Sequence, residues 1–510
     1  MGPHQADVNL YSLFVERAQS LVRPEGIVGL LVPSGIAADK GAMDFFKSIS
    51  TTRRLGALFD FENRKFFFPD VDSRFKFSAL LFGGARRSFE RSRCAFYLHR
   101  TEELGDPERA LDLSAEDFLL VNPNTGAAPI FRHRRDADIT LRLYREHPVL
   151  VRRSAPSESL GRQPERKAWP VTYMRMFDMT NDSHLFSTRE ELVKLGWTAA
   201  PLNRWRKGEQ EAVPLYEGKM VQMFDHRADV VVVNLGNLHR AAQPQVISSV
   251  AKQQTDRYPQ LQFFVLSTGL GEARGTPYVL GFKDVTSPTN MRTMIAAMVP
   301  LAGYGNTLPA LVAQDDESSS HYAKTSALLL ANFASMAFDF VARQKVQGQH
   351  LNWFVLEQFP VIAAERFDAP LPPAFAAQMR QAGLMNGHHA HPSVADFVIP
   401  QVLALSYTAH DLAPFARDLG YVDANGQVLA PVVWNDEDRR ARRAALDAVF
   451  MHLYGLNADD AGYVLDSFPI VREQDEATFG RWRTREDVLA ALHWLSAVPA
   501  EAAATTDARR

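Results

Sequence analysis

Asn9-Leu10-Tyr11-Ser12-Leu13-Phe14-Val15-Glu16-Arg17-Ala18-Gln19-Ser20-Leu21 leads through Arg23-Pro24-Glu25-Gly26 into Ile27-Val28-Gly29-Leu30-Leu31-Val32. Leu10, Leu13, Phe14, Ala18 and Leu21 recur at helical spacing, which predicts a helix with one apolar face. The proline and glycine that follow stop it. Ile27 to Val32 has strand length and is apolar at consecutive positions, as expected of a strand in a sheet covered on both sides. Leu55–Phe61 and Phe77–Phe82 read as two more strands. Helix, short turn and buried strand make an α/β step, and residues 1–100 are expected to be the later part of a doubly wound sheet. Such a sheet binds its nucleotide at the switch point, with a Gly-rich loop after the first strand. Since the sequence reaches its first helix after nine residues, those cofactor-binding strands are expected to lie outside it.

The 510 residues predict three or four domains of ordinary globular composition, with 46% hydrophobic and 23% charged residues. A net charge of −3 argues against a uniformly basic coat but not against local patches. One cysteine, Cys94, excludes an internal disulfide framework and a multi-cysteine zinc site. No basic-then-apolar leader opens the sequence, and no run reaches ~18 apolar residues. A soluble, cytoplasmic protein is expected. Residues 101–150 read as a helical connector, and 131–167 hold ten Lys or Arg against five Asp or Glu. Residues 151–365 mix short apolar runs with turns, as in an α+β domain. Residues 366–500 read as a helical module and 501–510 as a flexible tail. Asn435 to Arg443 reads as a solvated helix start, with acids in the first turn where the macrodipole favours them.

The segment Lys65-Phe66-Phe67-Phe68-Pro69-Asp70-Val71-Asp72-Ser73-Arg74-Phe75-Lys76-Phe77 allows two readings. Its rings pack a core beside a turn, or they form a wedge that stacks on a base extruded from a duplex. A Phe-Pro step suits the second role, because proline fixes the backbone behind the ring. Asp70, Asp72 and Lys76 have the residue types of a Mg²⁺-dependent nuclease, but their alternation is wrong for one.

Together with the Asn9–Ala18 and Gly29–Gly35 runs, this segment resembles the later methylase motifs of type IIG-like adenine-N6 DNA methyltransferases. These are the fused restriction–modification and phage-defence enzymes. The resemblance continues through Asn122–Arg132, Met179–Phe186, Pro214–Met220 with Phe224–Arg227, Val341–Asn352 and Phe415–Tyr421. It implies a partial doubly wound methyltransferase sheet, an α+β target-recognition domain over 151–365 and a helical C-terminal module. It also implies double-stranded DNA as partner and S-adenosylmethionine as the family's cofactor. Phe68 matches the aromatic that stacks on the flipped adenine.

Two departures accompany it. The family's catalytic Asp/Asn-Pro-Pro-aromatic motif is missing, since Asn122-Pro123-Asn124-Thr125 lacks the second proline and the aromatic. The Gly-rich cofactor loop is missing too, Gly269-Leu270-Gly271 being a lone Gly-x-Gly. No catalytic residue is therefore assigned and no metal is expected. The chain is expected to bind DNA without catalysing alone, as one half of a split enzyme completed by a separate N-terminal methylase half, or as a remnant of a broken gene. Lys219, His226, Arg227, Arg292, Arg343, Gln344, Lys345 and Asn352 supply the cations and amides that a groove reader needs. A DNA specificity subunit directing separate subunits would explain these residues but not the methylase-like positions 9–82.

Overall fold

The computed structural model describes residues 9–37, 39–64, 66–73, 75–153, 165–232, 243–259, 261–275, 277–314, 317–346, 348–387 and 390–496. Lys65, Arg74, Gln347 and the expected tail 501–510 lie outside them. The chain divides into two compact units, Met1–Lys167 with Phe354–Pro360, and Ala168–Trp353 with Val361–Arg510. The sequence had suggested divisions at 100, 150 and 365.

In the first unit, helix α1 (Leu10–Leu21) precedes strand β1 (Ile27–Pro33), and α2 (Met43–Thr51) precedes β2 (Leu55–Glu62). Then come β3 (Lys76–Gly83), β4 (Ser92–Leu98), β5 (Leu111–Leu113), α3 (Ala115–Val121) and α4 (Arg134–Glu146). The short strands β6 (Val151–Arg153) and β7 (Glu165–Lys167) pair with each other. The main sheet has the order β1-β3-β2-β4-β5. β3 is antiparallel to β1 and β2, β2 is parallel to β4, and β5 is antiparallel to β4. The three expected strands are present, in a mixed α/β sheet rather than a mostly parallel one. The expected helical connector contributes β5 to this sheet.

Two burial expectations are corrected. On α1 the buried residue is Val15, while Leu10, Phe14 and Leu21 are 73%, 71% and 67% exposed. On β1 burial alternates, with Val28 and Val32 inside and Leu31 66% exposed. Apolar spacing marks which residues share a face; it does not say that another element covers that face.

The second unit opens with β8 (Val171–Met174), α5 (Arg189–Lys194), β9 (Thr198–Ala200), β10 (Arg204–Lys207) and β11 (Gln210–Tyr216). It continues through β12 (Asp229–Val232), β13 (Gln243–Val246), α6 (Ser249–Lys252), β14 (Phe264–Leu266), β15 (Tyr278–Phe282), β16 (Ala296–Pro300), β17 (Gly303–Tyr304) and β18 (Ala310–Ala313). One sheet has the order β16-β15-β18-β8 and another β14-β11-β10-β9, with β17 joined to β11. Helices α7 (Ser319–Ala334) and α8 (Met336–Lys345) form the buried centre, with Leu329, Leu330, Phe333 and Val341 fully enclosed. The short helix α9 (Trp353–Leu356) leads into the stretch Phe354–Pro360 of the first unit, and from Val361 on the second unit is helical, as expected: α10 (Pro373–Gln381), α11 (Val394–Ser406), α12 (Ala413–Asp418), α13 (Asp436–Leu453), α14 (Ala458–Asp466), α15 (Pro469–Phe479) and α16 (Arg483–Ser496). Among the described residues no single helix is long and apolar enough to cross a membrane. The bent pair α7 and α8 passes by length and composition together, with a 66° break between them.

The start of α13 matches its sequence reading: Asn435 caps it by accepting from the Asp438 amide, and Asp436, Glu437 and Asp438 fill the first turn. The arginines that follow do not all form a solvated face. Arg439 is buried, lies 3.6 Å above the Trp434 ring and donates to the Leu405 carbonyl at 2.6 Å.

A buried carboxylate joins α8 to the loop before β16. Asp339 accepts from the amides of Thr293 (2.9 Å) and Met294 (2.6 Å) and from Arg343 Nε (3.3 Å), with no exposed surface of its own. Removing one member of such a set leaves the others desolvated and unpaired. Asp339→Ala is therefore expected to cost the second unit about 3–5 kcal/mol, read as a lowered urea midpoint at unchanged m-value.

Candidate nucleic-acid interface

β1 and β2 run in the same direction, each being antiparallel to β3, and β4 is parallel to β2. The carboxyl ends of all three strands therefore meet at one edge of the sheet, where open α/β sheets bind ligands. Residues 63–75 make an excursion at that edge. Asn63, 1% exposed, organises it: its Nδ2 donates to the carbonyls of Phe68 (2.9 Å) and Val71 (3.0 Å), and its Oδ1 accepts from the Phe68 amide (2.9 Å). Its backbone amide bonds the Phe75 carbonyl at 3.1 Å. One amide side chain thus supplies the backbone groups of a turn with the partners they would otherwise lack.

The aromatic residues here divide into two sets. Phe61 stacks on Phe77 at 5.2 Å, and Phe67 meets both rings edge-on. Phe68 leans edge-on against Phe77 at 5.1 Å yet stays 42% exposed, while Phe66 and Phe75 are 57% and 65% exposed. Packing therefore accounts for Phe61, Phe67 and Phe77, while Phe66, Phe68 and Phe75 keep exposed ring surface. Phe68 borders a cleft of about 250 Å³ whose other walls are Leu31, Val32, Pro33, Val71, Phe75 and Phe77, with Asn63 and Lys76 the polar residues.

Polar groups gather beside this cleft. Ser34 and Ser78 both donate to buried Asp60. Burial pushes the Asp60 carboxyl up, against those hydrogen bonds. Glu62 accepts from His99 Nε2 (3.0 Å) and Arg64 Nη2 (2.9 Å), with Lys76 Nζ 3.5 Å away. Burial raises its pKa, but the His99 and Arg64 hydrogen bonds and the Lys76 charge outweigh burial and hold it at about 2. Tyr97 has a left-handed φ of 55°, unusual for a bulky residue. Lys76 and Arg132 each lie 4.3 Å from its ring centroid.

Most residues read from the sequence as DNA contacts are occupied inside the second unit. Arg227, 1% exposed, donates to the carbonyls of Gln254, Arg257, Lys252 and Thr408 at 2.8–3.0 Å. His226 bonds Asp411 at 3.0 Å, also buried, and the adjacent Asp225 pairs with Lys252 at 2.7 Å. Arg343 bonds the carbonyls of Asn290 (2.6 Å) and Met291 (2.7 Å) and lies over Phe468. Arg292 donates to the Ala334 carbonyl and faces the same ring. Gln344 is buried and donates to Phe340 O. These placements make His226, Arg227, Arg292, Arg343 and Gln344 parts of the packing, because a groove contact needs donors at the surface. Lys219 is partly exposed and pairs with Glu217 at 2.9 Å, Lys345 is half-buried, and Asn352 is exposed. Gly218 before Lys219 lets that turn approach the chain: an added Cβ would stand 2.3 Å from the Thr307 carbonyl oxygen.

Asn122-Pro123-Asn124-Thr125 is a tie within the first unit. Asn124 bonds Val151 O and Glu357 at 3.0 Å, and the amides of Asn124 and Thr125 donate to Gln358. Within the basic cluster, of which 154–164 lie outside the described residues, Arg134 is held by the Pro107 and Ala110 carbonyls, Arg145 by Asp117 and Arg153 by Glu357. Asp70 and Asp72 are exposed on the loop, while the Lys76 ammonium lies by Glu62 and Tyr97. Among the described residues no three His, Cys, Asp or Glu side chains form a metal-ligating cluster. The sequence reading missed Asn63, Tyr97 and Arg100. An Asn directly after a strand and ahead of a Phe-Pro step was the available signal for the first.

No family model and no curated protein matches this chain. Among solved structures it is similar to the type IIG restriction endonuclease BpuSI, at 11% identity and a TM-score of 0.26, over 88% of this chain and 49% of that one. It is also similar to the type IIL restriction-modification enzyme MmeI in complex with DNA, at 9% identity and a TM-score of 0.35, over 91% of this chain and 52% of that one. The chain spans about half the length of each.

The ionised Glu62 favours the folded state above its unfolded pKa of 4.5, and this contribution disappears as pH falls from 4.5 to about 2. Wild type is expected to be more stable than Glu62→Gln at neutral pH. The gap between their thermal midpoints should close across that window.

Proposed function

We propose that this chain is the DNA-recognition portion of an S-adenosylmethionine-dependent adenine-N6 DNA methyltransferase of the type IIG-like restriction–modification and phage-defence family. The observation that carries the reading is the placement of Phe68. The residue matching the family's adenine-stacking aromatic stands half-exposed beside an apolar cleft, at the carboxyl ends of three strands, on a loop braced by Asn63. A base-modifying enzyme needs a ring face held ready for an extruded base in a site that excludes water. The ordered series of motif resemblances along the chain supports the same assignment. Of the candidates in the second unit, Lys345 and Asn352 keep surface for a groove contact, whereas Lys219 is held by Glu217.

The residues around this edge do not fit a cradle for the methyl donor. The turn after β1 has one glycine, Gly35, where an added Cβ would meet the Asp39 carboxyl at 2.1 Å. It is closed by a side chain rather than open to a ligand. No step is therefore assigned to the cofactor here, and in this proposal the donor site and the Pro-Pro catalytic motif come from sequence beyond these residues. Among the described residues β1 is an edge strand, and its outer edge and the exposed apolar residues of α1 offer a place for such a segment to add.

The test places 2-aminopurine at the methylated adenine and reads its fluorescence with the chain completed by its methylase half. Phe68→Ala is expected to change the bound-state signal and weaken target binding by about 1–3 kcal/mol, the usual loss for one base-stacking aromatic. Phe68→Tyr should retain both. Identical signals from wild type and Phe68→Ala would reduce Phe68 to a packing residue.

A further inference from the structure

We infer that Arg100 and Arg132 are phosphodiester clamps that grip the DNA backbone beside the Phe68 loop, an assignment that rests on reading that loop as DNA-facing. Both side chains are exposed, and among the described residues neither has a carboxylate partner. Their neighbours differ: Arg64 is paired with Glu62, Arg91 and Arg145 face Asp117, and Arg109 is held by the carbonyls of Phe96 and Tyr97. Instead of an acid, each of the two has an aromatic ring beneath it. Arg100 lies 5.1 Å from the centroid of Phe66, and Arg132 lies 4.3 Å from that of Tyr97.

A guanidinium resting on a ring is held in place without neutralisation of its charge. Its planar fork of N–H donors suits two phosphate oxygens, which is why arginine is favoured for bidentate phosphate contacts. A carboxylate partner would compete for those same donors. Tyr97 keeps a strained left-handed backbone while the carbonyls of Phe96 and Tyr97 are both tied at 2.9 Å to Arg109. Strain maintained by a surrounding network accumulates where a side chain must be aimed.

Both arginines connect to the cleft through short chains of contact. Phe66 meets Phe67 edge-on at 5.0 Å, Phe67 meets Phe77, and Phe68 leans on Phe77. On the other route, Lys76 lines the cleft and shares the Tyr97 ring with Arg132. Extruding a nucleotide swings its backbone through ~180°, so the phosphates flanking the base need their own anchors. Two ring-seated arginines near the stacking residue meet that need, whichever base is extruded.

The experiment measures binding of the full 510-residue chain to duplex DNA between about 50 and 200 mM salt. Arg100→Gln and Arg132→Gln should each lower the slope of log affinity against log salt by about 0.9, equivalent to a roughly 3.5-fold smaller affinity loss across that fourfold range. Arg100→Lys, which keeps the charge, should retain the wild-type slope. Thermal midpoints matching wild type establish that the variants fold. Wild-type slopes in both glutamine variants would overturn the proposal, and so would wild-type binding insensitive to salt. Lowered slopes combined with an unchanged 2-aminopurine signal in Phe68→Ala would support the clamps and reject the base-stacking reading.

Discussion

The buried guanidinium of Arg227 holds four carbonyls from two distant stretches of the chain, and the second unit is arranged around that demand. The buried carbonyls of Lys252 and Thr408 need donors, and a charge removed from water needs compensation. Each requirement answers the other, with Asp225 tied to Lys252 and His226 to Asp411 in the same layer. The result joins the turn after β11 to α6 and to the segment that follows α11. The run Phe224-Asp225-His226-Arg227 is thus distinctive because it builds the unit. A sequence signature of this kind indicates relatedness without locating a binding surface.

That distinction explains what sequence reading could and could not recover. Strands β1, β2 and β3 and the capped start of α13 depend on local patterns, apolar runs of strand length or an Asn followed by acids, and they were legible. The exposed side of β1 was not, since no local pattern specifies that Leu31 faces outward. Arg227, Arg292 and Arg343 were misplaced for a related reason. Arginine serves both as a groove reader and as a donor to orphan carbonyls, and long-range backbone geometry decides between them. The Phe-Pro turn that carries Phe68 is a local pattern and stands out in the sequence. Asn63, which braces that turn, acts through backbone groups five and eight residues away.

The loop carrying Phe68 sits at odds with the usual economy of a folded surface. Leu31, Phe66, Phe68, Val71 and Phe75 together expose a cluster of large apolar groups, which marks interaction surfaces when it is contiguous with a cleft. Folding alone gives no reason for these rings to face water. Yet the loop is not loosely held: Asn63 makes three side-chain hydrogen bonds to it, and Phe77 backs the Phe68 ring. Order without burial reduces the conformational entropy that binding must otherwise remove, so it favours a partner that arrives later.

The same logic separates the cations of the first unit into two kinds. Arg153 on Glu357 and Arg134 on backbone carbonyls are satisfied within the fold, and an incoming phosphate would have to displace those partners. Arg100 and Arg132 are exposed and lie against rings, Phe66 and Tyr97, that support a guanidinium without neutralising its charge. Counting arginines along 131–167 merges these two kinds. What distinguishes a cation available to a polyanion is the chemistry of its first neighbour: an aromatic face supports it, and a carboxylate already occupies the place the phosphate would take.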